Sequence, residues 1–452
     1  MRFPSGTRMS VTLLAALTLA FAATSAGSAS AQTHQVSADS LIYDLKNPDP
    51  PRRLAAARDL GAAKHLPAIP ALLPLTDDPD PSVRRQLELT LEEMADIRVL
   101  PGLVQLTADS EPDIRDRAVH ALVNLHLPRA SGPTAALLKL GSLITPWSDE
   151  YADMIVEPDV PVDTSVVDAL RARMSDAEDG IRRNTSRGLG ILRSEAAIPE
   201  LCLAAGQDRD PEVRFEAVRA LRKIGDASVG ERLVPVLNLN VDKVRNEVIK
   251  TLGSLKYRGA VPELTRIFEQ GKPGALVRTL TLSALADIGD PSSQTMFQGL
   301  KAEKNISIRL YATEGLARLA DPTMGTVMSA DRLIEKNWRV QTAQAFGLLR
   351  IGRQEYLDEL VRGLGRATTR ELAREYLLEI PPADRPALFA ATSKSATVRA
   401  ELADVFGLMH DPSALPALED LKRDTHGDVA RNAERAVRRI TAQTHSNVAQ
   451  RE

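Results

Sequence analysis

An arginine returns along this chain at intervals close to 31 residues, and seven residues after each copy stands an apolar residue. The anchors are Arg53, Arg84, Arg115, Arg182, Arg214, Arg245, Arg278, Arg309, Arg339, Arg370 and Arg399, with Ala430 in the same slot of a further copy. Their partners run from Leu60, Leu91 and Leu122 through Leu189, Leu221, Leu252, Leu285 and Leu316 to Phe346, Leu377, Phe406 and Val437. A fixed period of this length marks a solenoid, in which no unit can bury its apolar face alone and each must stack on the next.

The stretch from Asp208 to Asp226 shows why one unit is helical. Asp210 suits an N-cap and Pro211 a first turn, where the missing N–H costs nothing. Val213, Ala217, Ala220, Leu221 and Ile224 follow at helical spacing as one apolar stripe, and Gly225 ends the run. Small residues three after the arginine, such as Ala56, Ala118, Thr185 and Ala217, let neighbouring helices approach. A second, shorter helix is predicted after each, with an early proline as in Ile198–Leu201, Val261–Leu264 and Leu415–Leu418. The expected fold is all-α, a right-handed α–α superhelix of twelve to thirteen helical hairpins.

At these residues the chain resembles the HEAT-like repeat proteins, in the bacterial form described for phycobilin lyases. The run Asp78-Pro79-Asp80-Pro81-Ser82-Val83-Arg84 and the segment Asp210–Asp226 carry the likeness, which spans roughly residues 45 to 440. The resemblance implies that the recurring aspartates and arginines form a ladder between successive turns and that the arginine-bearing helices line the concave face. It implies little about function. Two enzyme families share the repeat type. Deoxyhypusine hydroxylases hold iron with His-Glu dipeptides, and here no histidine is followed by glutamate. Phycobilin lyases act on a cytoplasmic pigment system, which the N-terminus of this chain contradicts.

That N-terminus has Arg2 and Arg8, an apolar stretch Val11–Ala23 too short to span a bilayer easily, and Ala29-Ser30-Ala31 in the A-x-A form of a cleavage site. An export signal over residues 1–31, cut after Ala31, is expected, giving a periplasmic or secreted protein with no stable membrane insertion. The domain map that follows is a lead at 32–44, repeats at 45–127, an irregular stretch at 128–176, repeats at 177–440 and a polar tail at 441–452. Within 128–176 the expected middle arginine is missing, and Pro146, Pro158 and Pro161 forbid a long helix. The preferred account is a degenerate repeat with Thr164–Met174 as its second helix; the alternative is a functional insertion carrying Trp147 and Tyr151.

The formal net charge is −3, or −5 without the two leader arginines, so no general attraction to nucleic acid is expected. Aromatics are 4% of residues, which leaves few stacking platforms for bases or sugars. The single cysteine, Cys202, cannot form an internal disulfide. Seven histidines are scattered, and no HExxH, CxxC, GxSxG or phosphate-binding glycine loop occurs. The acids from Asp149 to Asp163 lack calcium-loop spacing. No catalytic residue, metal site or cofactor is therefore assigned, and the enzyme class is disfavoured.

What remains is a binding surface. The slot five residues after each arginine is expected to face solvent on the lining side. It reads Arg58, Leu89 and His120, then Arg187, Arg219 and Lys250, then Ser283, Glu314, Gln344, Glu375 and Asp404, then Arg435. Basic gives way to acidic. An exported, non-enzymatic scaffold follows, orienting a protein or extended peptide of the cell envelope by charge, with Arg187, Arg219, Lys250, Glu314, Glu375, Asp404, Trp147 and Tyr151 as candidate contacts.

Overall fold

The computed structural model describes residues 37–127, 154–239, 241–272 and 275–449, with side chains through 442. The expected signal segment, Trp147 and Tyr151 lie outside the described residues. Within them the chain is helical throughout and contains no strand. Twelve longer helices sit in the arginine register, from Pro50–Ala62 to Gly427–Ala449; eleven are followed by a shorter helix, ten of them entered through a 3₁₀ turn. Ala38–Asp44 packs in front of the first.

Local chemistry accounts for the elements. In Pro211–Ile224 the Asp210 carboxylate accepts from the N–H groups of Glu212 at 2.6 Å and Val213 at 3.3 Å, and Gly225 closes the helix at φ 80°. Leu221 and its equivalents Leu60, Leu91 and Leu252 are fully buried. At roughly 25 cal/mol per Å² of apolar area removed from water, this repeated stripe is the main cohesive force between units.

Six anchors build the ladder between turns. Arg53 donates to Asp78 at 2.6 and 2.8 Å and to the carbonyls of Asn47 and Pro48 at 2.8 and 3.0 Å. The same fork joins Arg84 to Asp109, Arg115 to Asp176, Arg182 to Asp208, Arg309 to Glu335 and Arg399 to Asp424. Burial works against charge on Asp78, Asp109, Asp176 and Asp208, but hydrogen bonds from the arginine and a backbone N–H win, and each stays below the usual carboxylate range. Other anchors depart from the pattern. Arg245 pairs with Asp242 on its own helix at 2.5 Å, and Arg278 lies over the Phe268 ring at 4.3 Å. Twenty-five residues after Arg245 stands Gln270 instead of an acid.

The ladder also crosses 128–176, of which residues 128–153 lie outside the described residues. Arg115 reaches Asp176 across 61 residues, where the neighbouring rungs span 25 or 26. Pro112–Asn124 packs directly on Asp179–Ile191, and Leu100–Leu106 on Thr164–Arg173. Among the described residues Thr164–Arg173 stands in the outer layer beside the third inner helix, from which residues 125–163 separate it in sequence.

The arginine-bearing helices pack on one another much more extensively than the outer helices do. They form the inner layer of a tightly curved stack, since only an inner surface lets residues several repeats apart touch. Lys256 Nζ lies 3.3 Å from Glu379, and Tyr376 donates to Glu314 at 2.6 Å across 62 residues. The helices are close because their contact points carry no side chain. A methyl group at Gly190 would come within 2.6 Å of Ala220 Cα, and one at Gly253 within 2.7 Å of Ala284 Cα.

The curve brings its own end back to residues 154–163. The return leg places Val156 N–H 2.8 Å from the Ile191 carbonyl, and Lys223 donates to the Met154 carbonyl at 3.0 Å. On the last helix Arg439 grips Glu157 at 2.6 and 2.7 Å across 282 residues, and Arg438 stands 3.5 Å from Asp159.

Candidate functional site

The inner helices Asp242–Ser254, Leu276–Ile288, Ile306–Leu319, Trp338–Arg350 and Arg370–Leu378 enclose a cleft of about 720 Å³. Its walls carry five acids, Asp287, Glu314, Glu371, Glu375 and Glu379, against three bases, Lys256, Arg318 and Arg339. Tyr311, Trp338 and Leu372 supply apolar surface, and Trp338 is about one-third exposed at 36%.

Arg318 is the hub. Its guanidinium lies 3.1 Å from Glu379, 3.3 Å from Asp287 and 3.5 Å from Glu314, three acids from three repeats. One cation cannot satisfy three carboxylates. Burial, opposed by Arg318 and reinforced by Glu314 and Glu379, lifts Asp287 to about 6. Burial likewise pushes Glu314 up, although it holds the Tyr376 hydroxyl hydrogen bond, and Glu375 is raised by burial and by Asp287. A cation entering the cleft would relieve this crowding, because an opposite charge a few ångströms away favours the ionised carboxylate.

The charge column read from the sequence is altered in two ways. Arg187 and Arg219 do not face solvent freely: the side chains are 13% and 14% exposed, and both lie against the buried carboxylate of Glu216, at 2.6 and 3.8 Å. Lys250 is half exposed and stands 3.6 Å from Glu247. The close spacing of the inner helices brings a glutamate from a neighbouring position into the basic column. His120, Glu314 and Gln344, expected on the surface, are buried. Burial pushes His120 down to about 4, against the pull of Asp116. The acidic end keeps its character: Glu314 and Glu375 line the cleft, whereas Asp404 lies away from it, paired with Arg435 at 3.3 Å. The cleft partners Asp287, Arg318 and Glu379 were missed because nothing in a single repeat announces which residues curvature will bring together.

Cys202 is half-buried, and burial pushes its thiol up, away from the reactive range. Among the described residues no group of three or more His, Cys, Asp or Glu stands close enough to hold a metal ion, and no helix is long and apolar enough to cross a membrane.

Residues 38–123 and 167–248 match the family model for HEAT repeats. With the solenoid above, the chain is a HEAT-like repeat protein. The interruption between the two matched stretches contains residues 125–163. No curated protein matches the chain. Among solved structures it is similar to an engineered protein, at 18% identity over 89% of this chain and 98% of that one, with a TM-score of 0.39. The complex of CpcE and CpcF of phycocyanin lyase from a Nostoc species matches at 19% identity over 60% and 94%, with a TM-score of 0.34. YibA of Escherichia coli matches at 17% identity over 61% and 91%, with a TM-score of 0.37. None of these overlaps bears on activity or partners.

Proposed function

We propose that this protein is an exported, non-enzymatic interaction scaffold whose concave face takes an extended polypeptide, with the central cleft receiving a basic side chain of that partner. The observation that carries this reading is the cleft itself: five acids against three bases, beside Trp338 and Tyr311, on the inner face of five repeats. A guanidinium or ammonium group on a flexible stem would pair with Glu375 and Glu371 while its methylenes cover the ring of Trp338. Export rests on the arginines, apolar stretch and A-x-A site of residues 1–31.

Fluorescence polarisation with labelled decapeptides tests the binding. A lysine- and arginine-rich peptide is expected to bind, to weaken about tenfold in the Glu371→Lys/Glu375→Lys double variant, and to weaken with added salt. Reversal of the outer-helix charge Glu231→Lys should leave it unchanged. Equal affinity for acidic and basic peptides would overturn the reading. Detection of the uncleaved chain in the cytoplasm would overturn export separately.

A further inference from the structure

The stretch of residues 125–163 does more than interrupt the period. Its return leg, residues 154–163, leaves the inner helices of the fourth and fifth repeats, where it is tied by the Ile191 and Met154 carbonyl bonds, and meets the last helix of the chain. A solenoid joins each unit only to its neighbours, so a contact across 282 residues is foreign to the stack and needs its own cause. That cause is ionic. Arg435, Arg438 and Arg439 all act on Glu157, whose carboxyl the Arg439 fork holds below its ordinary value. Asp159 adds the second pair, and Asp404 stands 3.9 Å from Arg439 on the far side.

Two further facts define what this contact can do. The buried apolar residues form two separate cores, one running from Leu45 to Leu348 and the other from Leu310 to Ile440. At the seam Val156 belongs to the first core and Ile440 to the second, so among the described residues no contact between buried apolar side chains crosses it. The two cores interleave along residues 308–349, beside the cleft, with Tyr311 and Tyr356 packed against both, and Thr313, Glu314, Thr342 and Gln344 are buried among the apolar groups there. The described residues thus have one stretch where the two cores interleave and, elsewhere, an ionic closure.

We propose that residues 154–163 are a clasp: the pairs Glu157–Arg439 and Asp159–Arg438 hold the curved stack closed, and releasing them lets the two ends of the stack swing apart about the stretch at residues 308–349 where the cores interleave. The Glu157–Arg439 pair is partly buried and the Asp159–Arg438 pair more open, and both are more sensitive to salt than interdigitated apolar layers, so the seam is the interface that yields first. Opening there widens the concave face, whatever ligand the cleft accepts, and the clasp therefore stands independently of the peptide reading.

Spin labels at Asp168→Cys and Arg431→Cys, in a Cys202→Ser background, place one probe on each side of the seam; both positions are exposed, with 70% side-chain accessibility. The closed form is expected to give one narrow distance distribution at low salt. Glu157→Arg should move it outward by about 10 Å, one helix diameter, and the Glu157→Arg/Arg439→Glu exchange should recover at least about half of that shift. Sodium chloride at about 1 M, where screening acts within 3 Å, should move the unmodified seam the same way. An unchanged distance in a helical Glu157→Arg variant overturns the clasp. So does an exchange variant that stays as open as Glu157→Arg. If Glu157→Arg fails to fold, the salt titration decides, and a distance indifferent to salt overturns the proposal.

Discussion

In the first four rungs the anchor guanidinium holds each carboxylate along both oxygens, with Arg173 as a second cation 3.4 Å from Asp176, whereas in the cleft five carboxylates share three cations. The residue types are the same, yet the acids move in opposite directions. Asp78, Asp109, Asp176 and Asp208 are held low by their forks, and Asp287, Glu314 and Glu375 are pushed up by burial and crowding. A fork at the edge of each layer glues the stack. A many-to-few arrangement on its inner face leaves unspent attraction for a cation, and that distinguishes a structural charge from one available to a ligand.

The sharpest way to break this comparison is to remove a rung acid. Asp109→Ala leaves Arg84, 12% exposed, without its partner, and should cost about 3 to 5 kcal/mol in chemical denaturation at neutral pH. A loss under about 1 kcal/mol would place the rungs with ordinary surface pairs. The rung acids have folded values below their unfolded ones, so their contribution is present above about pH 4 and fades as pH falls through the folded values.

The cleft should behave in the opposite sense. Asp287, raised to about 6, binds its proton more tightly folded than unfolded, so stability declines as pH rises from about 4 to about 6. Asp287→Asn removes that decline. Its side chain is still 34% exposed, and solvent screening reduces the expected gain above pH 6 to about 1 kcal/mol. Parallel stability–pH curves for the two proteins would contradict the crowding argument.

The smallest effect tests whether a broken rung can be mended. Gln270→Asp gives Arg245 an acid at the position that Asp109 holds relative to Arg84, and should add about 0.5 to 1 kcal/mol. Destabilisation would mean that the Arg245 side chain is committed to Asp242.

Much of the stack was legible in the chain because it is local chemistry repeated. Asp210, Pro211, Gly225 and the stripe ending at Leu221 and Ile224 fall where helical spacing and capping put them. The site was less legible. Arg187 reads as a free lining charge until Glu216, on the adjacent helix, lies 2.6 Å away. Glu314 reads as exposed until Tyr376, two inner helices on, covers it. Both depend on how sharply the stack bends, and bending is a sum over interfaces that no single repeat encodes. The partner of Arg115 was hidden for a related reason: 67 residues between Arg115 and Arg182 fit two periods numerically, and only the fold brings Asp176 to Arg115.

The bare helix contacts at Gly190 and Gly253 have a mechanical consequence. Each interface contributes a small rotation, and the rotations add along the arc, so the far end of the molecule responds as the tip of a lever. Gly253→Ala would insert a methyl 2.7 Å from Ala284 Cα and wedge two inner helices apart by a fraction of an ångström. Carried through the repeats that follow, that wedge becomes a displacement of several ångströms where Arg439 meets Glu157. The pitch of the whole arc is thus adjustable at a single backbone contact, at the rim of the cleft that Gly253 helps to line.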